Sequence, residues 1–253
     1  MLPAERKRTI VQLVTERDGC SVAELAAELD FSKATIRRDL QDLAAAGRIE
    51  RSHGGAVPAD SVGRERSYDQ REVERLDAKR AIGTRASEEI RDGQAVCFDA
   101  GTTTMEVARA APNGGFVAVT NMAEIALELA DGDADVKLTG GTLRPRSHAL
   151  VGPGAEAFLD QSNFDLLFLG INGIAADAGL STPDEDEAAV KRRMVAAASR
   201  VVLVADSSKF GERSFRSVAA PDDVDRLVTD APLPPELAEA FADTEVVVTE
   251  ADG

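Results

Sequence analysis

Apolar positions along the chain follow two rhythms, and the change comes near residue 77. Up to about residue 46 the spacing is mostly helical. Glu5 to Glu16 places Ile10, Leu13 and Val14 on one face, which predicts an amphipathic helix ended by Asp18-Gly19. Ser21, with Glu24 three residues on, is a capping box that opens a second helix. Asp30-Phe31 is a turn. Ser32 is the N-cap of a third helix that runs to about Ala46, with Gly47 at its end and an apolar stripe of Ile36, Leu40 and Leu43. Two short extended runs then span Arg48 to Val57 around Gly54-Gly55. Together these elements outline a helix-turn-helix followed by a wing. Pro58 to Gly63 reads as a small-residue linker, and Arg64 to Leu76 as a charged stretch without an assigned element.

From Ala78 onward short apolar runs recur: AVCFD (95–99), FVAVT (116–120), DVKLT (135–139), DLLFLG (165–170), RVVLVA (200–205), DRLVT (225–229) and EVVVT (245–249). Helical patterns separate most of them, over 78–91, 104–110, 122–130, 153–161, 185–199 and 234–241. Strands that alternate with helices predict a doubly wound, mostly parallel sheet covered on both faces. Ligands in such folds sit beyond the C-terminal ends of the strands. The fold class expected is therefore α/β, with a winged helix-turn-helix at 1–57, a linker at 58–76 and a second domain at 77–253.

Composition changes this picture in one respect. The chain has 253 residues, is 43% hydrophobic and carries a net charge of −16. Residues 1–57 hold nine Lys/Arg and nine Asp/Glu, so all the acidic excess lies in the remainder. A neutral segment with cations on one helix face suits DNA, while the acidic body repels it. Basic residues are mostly Arg, with only six Lys. Abundant acid, scarce Lys and few aromatics resemble proteins of salt-accumulating organisms, in which high charge keeps proteins soluble. Cys20 and Cys97 form no metal or redox spacing and read as reduced thiols. No run approaches the ~18 apolar residues of a membrane span, and MLPAERKRTI has no signal-peptide core. A cytoplasmic protein without membrane, metal or cofactor is expected.

The candidate chemistry sits at strand ends. Asp99 leads into Gly101, Thr102, Thr103 and Thr104 before a helix, where hydroxyls and free N–H groups offer an anion site. An ordinary strand-to-helix turn is the alternative, and the P-loop lysine is missing. Other ends supply Asn121, Gly140-Gly141, Ile171-Asn172-Gly173, and Asp206 with Lys209. That set suits a small polyhydroxylated phosphoester. Lys191 follows Glu187 by four residues in a helix, so a surface ion pair is the plain reading of both. His148 reads as a solvated loop residue.

Ser32-Lys33-Ala34-Thr35-Ile36-Arg37-Arg38-Asp39-Leu40, then Leu43, Gly47 and His53-Gly54-Gly55-Ala56, resemble the DNA-binding signature of DeoR-type regulators. The resemblance runs on through Lys79-Arg80-Ala81-Ile82-Gly83, Asp99 with Gly101 to Thr104, Thr120-Asn121, Gly140-Gly141, Val151-Gly152-Pro153, Gly179-Leu180, Val190-Lys191-Arg192 and Ala205 to Gly211, all in the family's order.

The resemblance implies a winged helix joined to a sensor domain like ribose-5-phosphate isomerase. It implies a regulator, most often a repressor of sugar or polyol catabolic genes, released from double-stranded operator DNA by a phosphorylated sugar or polyol. Lys33, Thr35, Arg37 and Arg38 would enter the major groove, and Ser32, Arg51 and His53 would engage the backbone or minor groove. Gly101 to Thr104 would hold the phosphate. Asp99, Asn121, Asp206 and Lys209 would meet the sugar, with Lys191 nearby. One winged helix reads few base pairs, so a homodimer or homotetramer is expected. The alternative is an isomerase-like enzyme with an accessory DNA-binding domain, in which Asp206 and Lys209 act as base and electrophile.

Overall fold

Helix α1 (Pro3–Glu16) buries Ile10 and Val14 against α2 (Val22–Leu29) and α3 (Lys33–Ala45). The computed structural model describes residues 2–17, 19–52, 54–58 and 65–249, and two compact units divide at residues 64 and 65. In the first unit Ser21 and Glu24 close a capping box, with Glu24 N donating to Ser21 Oγ at 3.1 Å and Ser21 N to Glu24 Oε2 at 2.7 Å. Asp30 adopts a left-handed φ of 55°, which turns the chain from α2 into α3. Strands β1 (Cys20–Ser21), β2 (Ile49–Ser52) and β3 (Gly55–Pro58) form an antiparallel sheet in the order β1-β3-β2. Gly55 crosses so close to the Cys20 carbonyl that a Cβ there would collide with it. Val22, Leu25, Ile36, Leu40, Leu43, Ile49 and Ala56 complete the core.

The second unit opens at Glu65. Its elements are α4 (Tyr68–Val73), α5 (Leu76–Ser87), β4 (Ala95–Phe98), α6 (Thr102–Arg109), β5 (Val117–Thr120), α7 (Ala123–Ala130) and β6 (Asp135–Leu138). A hairpin of β7 (Thr142–Leu143) and β8 (Leu150–Val151) follows, then α8 (Pro153–Leu159), β9 (Leu166–Leu169), β10 (Gly173–Ala175) and β11 (Gly179–Thr182). The chain closes with α9 (Glu185–Ala197), β12 (Val201–Val204), β13 (Arg216–Ala219), β14 (Arg226–Thr229), α10 (Pro235–Ala240) and β15 (Glu245–Val248).

All seven apolar runs named above become strands of one parallel sheet, ordered β15-β14-β12-β9-β4-β5-β6. Alternate residues feed two cores. Val96, Phe98, Leu166, Phe168, Val202 and Val204 pack against Ile82, Met105 and Ile125 of α5, α6 and α7. Cys97, Leu167, Leu169, Val201 and Leu203 pack against Leu159, Met194 and Leu237 of α8, α9 and α10. The central strands β9 and β12 are buried at every residue, which is why they read as unbroken apolar runs. Cys20 and Cys97 are free, buried thiols.

The structure also holds elements that the sequence reading left out. Strands β10, β11 and β13 form a small antiparallel sheet beside the main one. Residues 65–76, read as part of the linker, contain α4, whose Tyr68 is buried in the second unit's core.

Within the main sheet the chain runs outward from β4 through β5 to β6 on one side, and from β9 through β12 and β14 to β15 on the other. The adjacent ends of β4 and β9 form the fork at which this fold class leaves a crevice.

Candidate functional site

In the first unit α3 separates its faces cleanly. Ile36, Leu40 and Leu43 are buried, and Lys33, Arg37 and Arg38 are exposed. Ser32 caps the helix by accepting the Thr35 N–H at 3.1 Å, and its Oγ lies 2.9 Å from Thr35 Oγ1. Thr35 is therefore half-buried and partly committed to the cap. Arg51, on β2, reaches across to donate to the Arg37 carbonyl at 3.4 Å, so the wing strand abuts the start of the helix. His53 lies outside the described residues.

Sequence reading did not single out Asp39. It is buried, and Arg6 Nε and Nη2 of α1 donate to its two oxygens at 2.5 and 3.1 Å. The Arg6 guanidinium also lies 4.5 Å over the Phe31 ring. This bidentate pair ties α3 to α1 beside the apolar contacts of Ile36, Leu40 and Leu43.

In the second unit the fork between β4 and β9 holds a pocket. Its walls are Gly101, Thr102 and Thr103 at the start of α6, Gly170 to Asn172 after β9, Glu187 and Lys191 of α9, Lys209, and Arg71 of α4. No side chain caps α6, so its first-turn N–H groups are free to meet an anion. Three cations converge on that end: Arg71, Lys191 and Lys209.

Each is held by an anchor behind the wall. Lys191 is ion-paired with the fully buried Asp99 and donates to the Gly170 carbonyl at 3.0 Å. Asp99 Oδ2 also accepts the Gly170 N–H at 3.0 Å, while Oδ1 is buried without a hydrogen-bond partner. Burial pushes the Asp99 carboxyl up, against the pull of Lys191. Asp99 is thus the counter-ion that aims Lys191. Asp206 accepts the Ser208 N–H at 3.0 Å and caps the short turn that carries Lys209. Burial lowers Lys209, with Asp206 opposing. Lys79, buried on α5, donates to the Arg71 carbonyl, and burial brings it down to about 8. Lysines pushed down by burial beside an uncapped helix start favour an anion.

The expected site residues therefore separate by position. Gly101, Thr102, Thr103, Lys191 and Lys209 line the pocket. Asp99, Thr104, Asn121 and Asp206 stand behind it. Thr104 Oγ1 donates to the Gly101 carbonyl at 2.9 Å, and Asn121 Oδ1 accepts the Ala100 N–H at 2.7 Å, so both hold the loop. Gly140 and Gly141 lie elsewhere, at the turn before β7. There a φ of 107° and the Val151 carbonyl exclude a side chain from Gly141.

The surface-pair reading of Glu187 and Lys191 fails. Both are buried, and each is paired elsewhere, Lys191 with Asp99 and Glu187 with Arg144. His148 is not simply solvated either: it stacks on Tyr68 at 4.8 Å, with Nδ1 2.7 Å from Glu124 Oε1. Asn172, named among the strand-end groups, lines the pocket too, whereas Arg71, Glu187 and Lys79 are neighbours that the sequence did not identify as site residues. None of these three stands at a strand end, the only positional signal that the sequence offered.

Among the described residues no cluster of His, Cys, Asp or Glu could hold a metal ion, and no helix is long and apolar enough to cross a membrane.

Comparison with known proteins agrees with both halves. Residues 6–62 match the DeoR-like helix-turn-helix domain, and residues 74–231 match the DeoR C terminal sensor domain. The HTH-type transcriptional regulator GlpR of Haloferax volcanii is 56% identical over 99% of this chain and 98% of its own, and it supports the halophile reading of the composition. The glycerol-3-phosphate regulon repressor of Escherichia coli strain K12 is 33% identical over 97% of this chain and 98% of its own. Among solved structures, ribose 5-phosphate isomerase A from Methanocaldococcus jannaschii aligns with 53% of this chain and 54% of its own, at 15% identity and a TM-score of 0.40. At that distance the likeness speaks neither for nor against catalysis. The two matched domains and the full-length relatives, all named as regulators of transcription, place the chain in the DeoR family of DNA-binding transcriptional regulators.

Proposed function

We propose that the pocket at the β4–β9 fork binds a phosphorylated sugar or polyol, and that its occupation releases the winged helix from operator DNA. One observation carries the reading: Arg71, Lys191 and Lys209 converge on the uncapped start of α6. A phosphate there would accept the first-turn N–H groups and the Thr102 and Thr103 hydroxyls, with its charge met by the three cations. Asn172 and Glu187 belong to the same wall and offer an amide and a carboxylate to sugar hydroxyls. A relative named for a glycerol-3-phosphate regulon makes glycerol 3-phosphate one ligand to test first.

On the DNA side, Lys33, Thr35, Arg37 and Arg38 enter the major groove, and Ser32, Arg51 and His53 serve the backbone or minor groove. Repression is the sign that the relatives' names favour. A homodimer doubles the base pairs that one winged helix reads, and a homotetramer offers four such modules. The isomerase reading finds less support, because its base, Asp206, does not line the pocket and is committed to Ser208 N–H and Arg75.

Fluorescence anisotropy on the DNA upstream of the gene, in concentrated potassium chloride, tests the proposal. Tight binding relieved by one sugar or polyol phosphate is expected. Binding that no phosphorylated compound relieves would remove the effector half.

A further inference from the structure

Arg144, in the turn between β7 and β8, serves the pocket and the start of the second unit at once. Its Nη1 donates to Glu187 and, at 3.0 Å, to Glu65 Oε1, while its Nη2 donates to Glu65 Oε2 at 2.9 Å. Asp184 Oδ2 lies 3.0 Å away. One guanidinium thus holds three carboxylates, two of them buried. The same turn stitches down the segment that follows Glu65. Arg146 Nε donates to the Glu65 carbonyl at 2.5 Å, and Tyr68 N donates to the Arg146 carbonyl at 2.8 Å. That segment ends in α4, which brings Arg71 to the pocket.

Glu187 faces both ways. It lines the pocket and holds Arg144. Burial pushes its carboxyl up, but Lys191, Ser147, Arg144 and Arg71 together leave it below the usual range. A phosphate would take Lys191 and Arg71 as partners and bring its own negative charge beside Glu187. Glu187 would then depend more heavily on Arg144, and Glu65 would lose its share. The cavity measures about 30 Å³, room for a water or two. Anything carrying a sugar has to move a wall, and α4, six residues long, is the shortest α-helix that contributes to it.

We propose that Arg144 is a clasp that reports occupation of the pocket: it holds Glu65 when no anion is bound, and yields Glu65 in favour of Glu187 when an anion enters. This rests on the pocket taking a phosphorylated ligand. Glu65 is the first residue of the second unit, joined through residues 59–64 to the end of β3. Release of Glu65 loosens the start of the second unit, the end at which the chain arrives from the DNA-binding unit.

Hydrogen–deuterium exchange on the full chain tests this, with inorganic phosphate and with glycerol 3-phosphate as separate probes. In the native sequence a bound probe should slow exchange at 101–104 and speed it at least fivefold over 65–73. Glu65→Ala should exchange fast over 65–73 from the outset, gain nothing from the probe, and keep its protection at 101–104. Arg144→Lys, which keeps the charge but loses the fork, should behave the same way and guards against misfolding of the first variant. Protection at 101–104 with 65–73 unchanged would overturn the clasp and leave the pocket standing. Protection at 101–104 by neither probe would overturn the pocket reading, and the clasp with it.

Discussion

Arg37 is exposed on α3, and its carbonyl is held by Arg51, so its side chain is free to reach a base edge while its backbone is fixed. Replacing it with alanine should weaken operator binding about 10-fold or more; an unchanged affinity by anisotropy would remove the residue from the interface. Lys191 and Asp99 form a different kind of pair, in which each is the other's buried ion-pair partner. Lys191→Met leaves Asp99 buried alone and should cost on the order of 3 kcal/mol. Asp99→Asn combined with Lys191→Met should recover most of that loss in denaturant melts without recovering phosphate binding. If the double variant bound phosphate like the native chain, Lys191 would be a structural residue only.

Lys79 adds a pH dependence with a definite sign. The unfolded chain keeps this proton up to about 10.4, whereas the folded protein holds it only to about 8. Between those values the unfolded state binds more protons, so this residue makes stability rise with pH. Phosphate binding runs the other way, because an anion favours the protonated lysine. Calorimetry near pH 8 in buffers of different ionisation enthalpy should show proton uptake on binding, and weaker affinity at pH 9 than at pH 7. Binding without proton uptake would show that Lys79 does not sense the ligand.

At the level of elements, α3 is tied to α1 by a buried pair, Asp39 with Arg6. Asp39→Ala leaves Arg6 without its buried partner and should lower the stability of the first unit by on the order of 3 kcal/mol. Operator affinity should fall with it, although the exposed cations of α3 all remain. An unaltered melt would mean that apolar packing alone sets the helix.

Elements were legible in sequence where their signal was local. The seven strands of the main sheet announced themselves as apolar runs because the chain buries both faces of that sheet. Ser21 with Glu24, and Ser32 alone, marked helix starts through contacts three residues long. Strands β10, β11 and β13 did not stand out, since GIA, GLST and RSVA are short and rich in small residues. The pocket was half visible. Its strand-end residues follow the rule for parallel sheets, but Arg71 comes from a charged stretch without periodicity, and its place depends on where α4 folds back. Arg144 gave no signal at all, because its meaning lies in Glu65 and Glu187, distant in sequence and adjacent in space.

For the whole molecule, the division of charge governs where DNA can touch it. The neutral winged helix is joined to a body that carries the entire excess of 16 negative charges. Non-specific contact through the body is repelled, and in strong salt little counterion release is left to drive binding. Specific affinity should therefore lean on base contacts and decline only gently between one and two molar potassium chloride. A steep decline in anisotropy titrations would show that phosphate contacts still dominate.

The scarcity of lysine gives the pocket a property of its own. Of the six lysines, Lys79, Lys191 and Lys209 sit in or against the pocket, leaving only Lys7, Lys33 and Lys137 elsewhere. At mildly alkaline pH an amine-reactive tag finds its most nucleophilic targets among the pocket lysines whose protons are held weakly, once the site opens. Mass spectrometry of the tagged chain then becomes a footprint of occupancy, with Lys33 and Lys137 as the exposed internal standard.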